Sequence, residues 1–361
     1  MGSTNAYIWV AINSFNKINP MSANNTSGQS RRVFLQKGSL ASLGLFMIGS
    51  RDWRKILTPF TEDKPNSKFF GVQIGVITYS YRSMPGSIEQ LLQYCLQSNI
   101  NAIELIGDAA EDFAGKPANP VKFPPRVPGQ PLQLTDEQKS QLATYQKQVA
   151  DWRASVSMDK FKEIRKMYEK AGVSIYAFKP NALGPKNTDA EIEYALTAAR
   201  GLGANCVTVE LPADPAHSKR LGDFGEKHKV YIGYHAHLQA TDTAWDIALG
   251  QSPFNTMNLD CGHYIAASEN NTKETLLALI QSKQDRITSL HLKDRKSKKN
   301  GGENTVWGQG DTPIREILAL LKEKKYRFPG TIELEYDIPA GSDAVKETLV
   351  CLDYAKKALG A

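Results

Sequence analysis

From about residue 69 onward, the chain alternates short β-branched runs with longer stretches whose apolar residues recur at helical spacing. This alternation predicts a parallel sheet whose strands are connected by crossover helices. The predicted strands are residues 70–78, 101–106, 173–178, 206–211, 230–235, 256–260, 287–292 and 330–336. The helical stretches include residues 87–97, 159–171, 189–202, 272–283, 314–324 and 343–359. Eight strand and helix pairs in strict order predict a closed (β/α)₈ TIM barrel, because closure leaves no sheet edge unpaired.

A doubly wound open sheet is the alternative topology. Such sheets commonly carry a glycine-rich phosphate loop after the first strand, whereas residues 79–82 read Tyr-Ser-Tyr-Arg. The length of 361 residues suits one large barrel, predicted over residues 67–361, preceded by an extension.

Residues 107–157 form an unusually long insertion after the second predicted strand. The insertion holds six prolines and a predicted helix over residues 136–152. Because active sites of closed α/β barrels form at the C-terminal ends of the strands, we expect this segment to act as a lid or substrate wall. The alternative is an insertion that packs on the outside of the barrel.

Residues 1–66 are predicted to be an N-terminal extension that contains an export signal. Within residues 30–50, Arg31 and Arg32 directly precede a short apolar stretch, and residues 1–50 contain no Asp or Glu. This segment resembles a twin-arginine signal, which implies a periplasmic protein, or one anchored by the segment if it stays uncleaved. The alternative is an ordinary N-terminal helix with solvated arginines.

The distribution of charge argues against nucleic acid as a partner. Residues 1–50 carry four of the six net positive charges, which leaves the remainder close to neutral and without a basic footprint. Four widely spaced cysteines form no CxxC motif and are predicted to be buried free thiols.

Ionisable residues stand where five successive predicted strands end. A barrel interior is filled by apolar side chains, so charged residues at these positions indicate the mouth of the barrel. From strand four to strand eight they are Glu210; His235 and His237; Asp260 and His263; His291 and Lys293; and Glu333 and Glu335.

Carboxylate and imidazole groups at corresponding strand ends predict one divalent metal site. Glu210, Asp260, His291 and Glu333 form an oxygen and nitrogen ligand set suited to Mn²⁺, Mg²⁺, Co²⁺ or Zn²⁺. Without a cation, clustered carboxylates would raise one another's pKa, and the burial of each charge would cost desolvation energy. Glu335 shares a strand face with Glu333 and is the alternative ligand.

The segments around Asp260-Cys-Gly-His263, His291-Leu-Lys-Asp and Ile-Glu333-Leu-Glu resemble the xylose-isomerase-like barrel superfamily, in particular its sugar phosphate isomerase/epimerase branch. The resemblance extends over residues 69–360. It implies that Glu210, Asp260, His291 and Glu333 hold the metal. It also implies that Glu210 and Glu333 act as acid and base on opposite faces of the substrate, and that His263 contacts the substrate. The epimerases of this branch carry a substrate-binding arginine later in the chain than Arg295.

Several further residues at the mouth are candidates for substrate binding. His235 and His237 share one strand face, and either could instead orient a neighbouring group. Trp307 has packing in the protein interior as an equal alternative. The candidate substrate-binding residues beside His263 are His237, His235, Lys293, Lys179, Glu104 and Trp307.

Three functions fit this set of residues. The first is a metal-dependent isomerase or epimerase of an unphosphorylated sugar or keto-sugar, because proton transfer beside a carbonyl needs a base and an electrophile. The second is a lyase or dehydratase acting on a keto-sugar, an inosose or a 3-keto-glycoside. The third is a non-catalytic sugar or metal binding module. A small carbohydrate is the expected partner in each case.

Overall fold

A computed structural model of the chain describes residues 64–123 and 133–361. The predicted extension up to residue 63, with its signal-like segment 30–50, lies outside the described residues. Within the described ranges, no helix combines the length and the apolar character needed to cross a membrane.

Eight parallel strands close into a barrel, which confirms the predicted fold. Each strand pairs with the next along the chain, and the last also pairs with the first. All four cysteines are buried free thiols, as predicted. The strands are β1 (Val72–Ile77), β2 (Ala102–Ile106), β3 (Ser174–Lys179), β4 (Cys206–Glu210), β5 (Tyr231–His235), β6 (Asn255–Asp260), β7 (Ile287–Leu292) and β8 (Gly330–Ile332).

Amphipathic helices surround the barrel and cover its apolar outer face. Several begin with a hydroxyl cap; Thr188, for example, accepts a hydrogen bond from the Glu191 amide while Glu191 bonds back to the Thr188 amide. The helices are α1 (Ile88–Gln97), α2 (Gly107–Phe113), α3 (Asp136–Ser155), α4 (Asp159–Ala171), α5 (Asp189–Leu202), α6 (Pro215–His228), α7 (Asp246–Gln251), α8 (Cys261–Ala267), α9 (Lys273–Ser282), α10 (Ile314–Lys324) and α11 (Ala344–Leu359).

Strand β8 is shorter than predicted, because it ends at Ile332 and not at residue 336. The Ser80 hydroxyl accepts the Leu334 amide at 3.0 Å, and Arg82 donates to the Leu334 carbonyl at 2.6 Å. These side chains replace the ladder hydrogen bonds of a neighbouring strand. Glu333 and Glu335 therefore lie on the segment that follows β8, where the Glu333 amide still donates to the Leu292 carbonyl at 3.1 Å.

A buried ion cluster joins two helices of the insertion, α2 and α3, and attaches them to α5. Arg153 of α3 donates to Glu111 of α2 at 2.8 Å and to Glu191 of α5 at 3.1 Å. It also donates to the Asn181 carbonyl at 3.0 Å, in the segment that follows β3. The C-terminal end of α3 is thus attached near the rim of the mouth, and a lid function for the insertion stays a prediction.

Replacing Arg153 with methionine should destabilise the barrel. Two almost fully buried carboxylates would lose their shared guanidinium, a loss that costs about 3–5 kcal/mol in buried ion pairs. For a domain of this size we expect the melting temperature to fall by about 5–8 °C. The matched control is Arg165→Met, which removes an exposed helical pair with Glu169 and should change little. Equal melting temperatures for the two variants would contradict this account.

Candidate active site

The ionisable residues at the mouth lie at two depths. Asp260 and His291 are completely buried and form a floor, together with Glu104. Above them, the side chains of Glu210 and His237 are 39% and 33% exposed and form a rim. A small molecule that enters the mouth would therefore meet the rim groups first and the floor groups at its base.

Asp260 ends β6 and uses its two oxygens differently. Its Oδ1 accepts the His263 amide at 2.7 Å and caps α8. Its Oδ2 accepts no hydrogen bond of normal geometry from the described residues, although the Lys293 ammonium lies 2.9 Å away. Because the carboxyl is fully buried, desolvation raises the pKa of Asp260, and Lys293 only partly offsets that effect. This buried oxygen therefore keeps acceptor capacity that the Lys293 ammonium does not use.

His291 lies between two carboxylates near the end of β7. Its Nε2 is 2.8 Å from Glu104 Oε2, and its Nδ1 is 3.0 Å from Glu333 Oε2. Burial disfavours the imidazolium, but the two carboxylates outweigh burial and raise the pKa of His291 to about 10. Glu104 therefore orients the ring, and Nδ1 points toward Glu333 and Asp260.

Lys293 brings its ammonium to the centre of the floor. The Nζ atom lies 2.9, 2.8 and 2.7 Å from Asp260, Glu333 and Glu335 respectively. These carboxylates overcome the cost of burial and raise the pKa of Lys293 above its usual value, while Lys293 and His291 hold that of Glu333 well below the usual range. The predicted substrate contact of Lys293 stays a prediction.

Glycine is required where α8 approaches Lys293. A Cβ atom on Gly262 would lie 2.4 Å from Lys293 Cγ and 2.8 Å from the Lys293 carbonyl oxygen. Because one of these neighbours is backbone, the clash could not be relieved by a side-chain rotation alone. Gly262 in the Asp-Cys-Gly-His segment therefore lets the helix carry His263 into the mouth.

Glu210 is held at the rim by two neighbours. Its Oε1 accepts from Lys179 at 3.0 Å, and its Oε2 lies 3.0 Å from His237 Nε2. Burial opposes ionisation, but Lys179 and the nearby imidazoles prevail and hold the pKa of Glu210 well below the usual range. The structure thus brings three of the predicted ligands, Asp260, His291 and Glu333, into one cluster and places Glu210 beside it.

His263 faces the mouth through Nε2. Arg295 donates to its Nδ1 at 2.7 Å, while Lys293 lies 3.1 Å from Nε2. A neutral imidazole has one acceptor nitrogen, whereas Arg295 and Lys293 can only donate, so each ring nitrogen of His263 faces a cationic donor. Burial and the adjacent Lys293 lower the pKa of His263 to about 2, which keeps the ring neutral.

Two groups of three side chains have donor atoms that lie within 4.8 Å of one another. One group consists of His235, Asp260 and His291. The other consists of His235, His237 and His263. His235 is common to both, and its Nδ1 lies 3.3 Å from Asn258 Oδ1.

Trp307 is buried and packs edge-on against Tyr354 of α11, with ring centroids 5.7 Å apart. This is the arrangement that the packing alternative predicts, and a substrate contact stays a prediction.

Two polar residues inside the barrel are not among the predicted site residues. They are Thr208 and Asn258, which donate hydrogen bonds to Glu104 at 2.6 and 2.9 Å. Each lies two positions before a predicted ligand. Because side chains two positions apart on a strand point to the same face, this spacing could have identified both residues.

Comparison with known proteins places the chain among barrels of one type. A solved xylose isomerase domain protein from Alicyclobacillus acidocaldarius subsp. acidocaldarius is 13% identical, with a TM-score of 0.54 over 80% of this chain and 98% of that one. D-psicose 3-epimerase from Clostridium cellulolyticum H10 is 13% identical, with a TM-score of 0.52 over 80% and 99%. The probable 3-DHS dehydratase AsbF from Bacillus anthracis is 14% identical, with a TM-score of 0.52 over 78% and 98%.

At these identities the likeness extends to the fold alone. No curated protein sequence matches the chain. The model of the xylose isomerase-like TIM barrel family matches residues 140–354, which is more than half of the chain. The chain therefore belongs to the xylose isomerase-like TIM barrel family.

Proposed function

We propose that this protein is a divalent-metal-dependent enzyme that isomerises or epimerises an unphosphorylated sugar or keto-sugar by proton transfer beside a carbonyl. The observation that carries the proposal is the convergence of Asp260, His291 and Glu333 on the floor of the barrel mouth, below an ionised Glu210. The family membership and the solved relatives named for epimerase and dehydratase activity support an enzyme acting on sugar-like molecules.

The floor residues fit a divalent cation. Glu104, Asp260, Glu333 and Glu335 bring four carboxylates together, whereas three groups supply positive charge: Lys293, the nearby Lys179 and, when protonated, His291. Negative charge is therefore in excess in a buried place, where it is costly. The Asp260 Oδ2 atom, which accepts no hydrogen bond from the described residues, is a suitable oxygen ligand. A cation bound there would polarise a substrate carbonyl as a Lewis acid.

The rim and the floor supply candidate groups for the two faces of a substrate. Glu210 follows β4 and Glu333 follows β8, and these strands lie four positions apart in either direction around the eight-stranded barrel. Carboxylates on opposite sides of the mouth can address opposite faces of a substrate held between them. Glu210 is ionised and partly exposed, which is the state required of a base, so we assign it proton abstraction.

Lyase activity on a keto-sugar, an inosose or a 3-keto-glycoside is the second candidate. The observation that favours it is the insertion after β2, which is anchored near the rim through Arg153 and could form one wall of a binding site for a larger substrate.

We also propose export through the segment 30–50. Export agrees with an unphosphorylated substrate, because phosphorylated sugars are retained in the cytoplasm.

Incubation with free ketoses, inososes and 3-keto-glycosides in D₂O tests the proposal. We expect the Mn²⁺-loaded protein to introduce deuterium at the carbon beside the carbonyl, as detected by NMR and mass spectrometry. Retained mass balance with an isomeric product identifies an isomerase or epimerase, whereas loss of water or of an aglycone identifies the lyase. Binding of these sugars without deuterium incorporation or product formation would overturn the enzyme proposal.

Replacing Glu210 with glutamine should stop proton exchange. The amide keeps the shape of the side chain but cannot accept a proton, so we expect exchange to fall by about 100-fold or more. Glu193→Gln is the matched control, because that carboxylate lies on the outside of α5, paired with Lys227. Exchange at the unmodified rate in Glu210→Gln would contradict the assignment of Glu210 as the base.

A further inference from the structure

We propose that His235 is a ligand of the metal and that Glu210, the ligand implied by the family resemblance, lies outside the coordination shell. This inference rests on the metal site of the proposed function and names its composition in this chain. The two residues are neighbours, because they pair in register at the ends of β5 and β4, but His235 is buried whereas the Glu210 side chain is 39% exposed.

The position of His235 favours coordination. Its donor atom lies within 4.8 Å of those of Asp260 and His291, and its side chain is almost completely buried. The Nε2 atom is 3.9 Å from Asp260 Oδ2, and His291 Nδ1 is also 3.9 Å from that oxygen. Ligand atoms around one cation with bonds of about 2.1 Å stand roughly 3–4 Å apart, so these spacings suit a shared ion.

Hydrogen bonding at Asn258 fixes which nitrogen of His235 carries the proton. The Asn258 Nδ2 group donates to Glu104 Oε2 at 2.9 Å and to Ser289 Oγ at 3.0 Å. Its Oδ1 therefore faces His235 and accepts the Nδ1 proton at 3.3 Å. The lone pair of His235 is consequently on Nε2, which faces Asp260.

Two acceptor atoms therefore face each other on the floor of the mouth, 3.9 Å apart. His235 Nε2 and Asp260 Oδ2 are both acceptors, and the latter accepts no hydrogen bond from the described residues. A metal ion placed between them would satisfy both. Metal-binding histidines characteristically donate their second ring N–H to an oxygen, which is the arrangement that Asn258 provides.

Both oxygens of Glu210 have cationic or imidazole neighbours at the rim. Oε1 accepts from Lys179 at 3.0 Å, and Oε2, which like Asp260 Oδ2 accepts no hydrogen bond of normal geometry from the described residues, lies 3.0 Å from His237 Nε2. The three-histidine group is a poorer site, because both ring nitrogens of His263 already face cationic donors, Arg295 at 2.7 Å from Nδ1 and Lys293 at 3.1 Å from Nε2. In the His235, Asp260 and His291 group, His235 Nε2 and Asp260 Oδ2 keep lone pairs for a cation, and His291 Nδ1, which lies 3.0 Å from Glu333, would release its proton on binding the ion.

Manganese binding to the full chain tests this assignment without reference to turnover. We would measure Mn²⁺ affinity by calorimetry and count coordinated imidazoles by electron spin echo modulation, which detects ¹⁴N nuclei bound to the ion. Wild type should show two imidazoles, from His235 and His291. His235→Gln should show one imidazole and bind Mn²⁺ at least about 100-fold more weakly. Loss of a residue that only hydrogen-bonds a metal ligand already lowers metal affinity by about 10- to 100-fold.

Glu210→Gln and the neighbouring control His237→Gln should keep two imidazoles and an Mn²⁺ affinity within about threefold of wild type. A single imidazole in wild type, or loss of Mn²⁺ from Glu210→Gln but not from His235→Gln, would overturn the assignment. Circular dichroism and melting in chelator verify that each variant is folded. If Mn²⁺ binds through His235 and yet no sugar exchanges deuterium, the proposed activity fails while this inference stands.

Discussion

Replacing Asp260 with asparagine is expected to remove the bound divalent cation and to lower proton exchange by at least about 1000-fold. The amide oxygen lacks the charge that a metal ligand supplies, and losing one electrostatic group at a reacting centre already costs about 100- to 1000-fold. Asp260 Oδ2 is the fully buried oxygen that lies within 3.9 Å of His235 and His291 and 2.9 Å from Lys293.

This substitution should leave the fold intact. Asp260 also caps α8 through the His263 amide, and asparagine caps helices about as well as aspartate does. Removal of a buried carboxylate also relieves repulsion with Glu333. A large loss of activity would therefore report on the site and not on unfolding.

Asp214→Asn is the matched control for Asp260→Asn. Asp214 caps α6 through the Ala216 amide at 2.9 Å and is exposed, so it shares the capping role without the site. Metal content by mass spectrometry and exchange in D₂O would be measured for both variants. Full Mn²⁺ occupancy in Asp260→Asn would show that this oxygen does not hold the ion.

Replacing Lys293 with methionine is expected to destabilise the metal-free protein strongly and the Mn²⁺-loaded protein less. Lys293 is 2% exposed and is the ammonium shared by Asp260, Glu333 and Glu335. Leaving buried carboxylates without their partner costs about 3–5 kcal/mol. A bound cation supplies positive charge to the same oxygens, so it should restore part of that loss.

Melting curves in chelator and in saturating Mn²⁺ measure this effect. In chelator we expect Lys293→Met to melt about 5–8 °C below wild type, with a smaller gap in Mn²⁺. Lys227→Met, which removes an exposed lysine paired with Glu193, should melt like wild type in both solutions. An equal gap in chelator and Mn²⁺ would argue against a cation at these carboxylates.

The barrel could be predicted from the sequence because its strands and helices are local patterns. The limits of α4, α5 and α10 agree with the predicted helices, since apolar residues recur at helical spacing in each. The end of β8 could not be predicted, because it depends on Ser80 and Arg82 from the other end of the chain.

Only part of the site could be predicted from the sequence, again because contacts between distant segments decide the rest. Asp260 and His291 stood out because they end apolar strands. Their partners depend on how neighbouring strands are staggered, and the barrel has register shifts at Glu104 and Asn258, the two residues that orient the imidazoles. A one-residue shift changes which side chains meet, and strand propensity does not reveal it.

Anomalous diffraction from crystals grown with Mn²⁺ tests most directly whether a divalent cation binds on the floor of the barrel mouth. We predict one strong peak per chain, about 2.0–2.3 Å from Asp260 Oδ2, His291 Nδ1 and a Glu333 oxygen. A map in which the manganese peak lies away from these three side chains, or in which none appears at saturating Mn²⁺, would contradict the account.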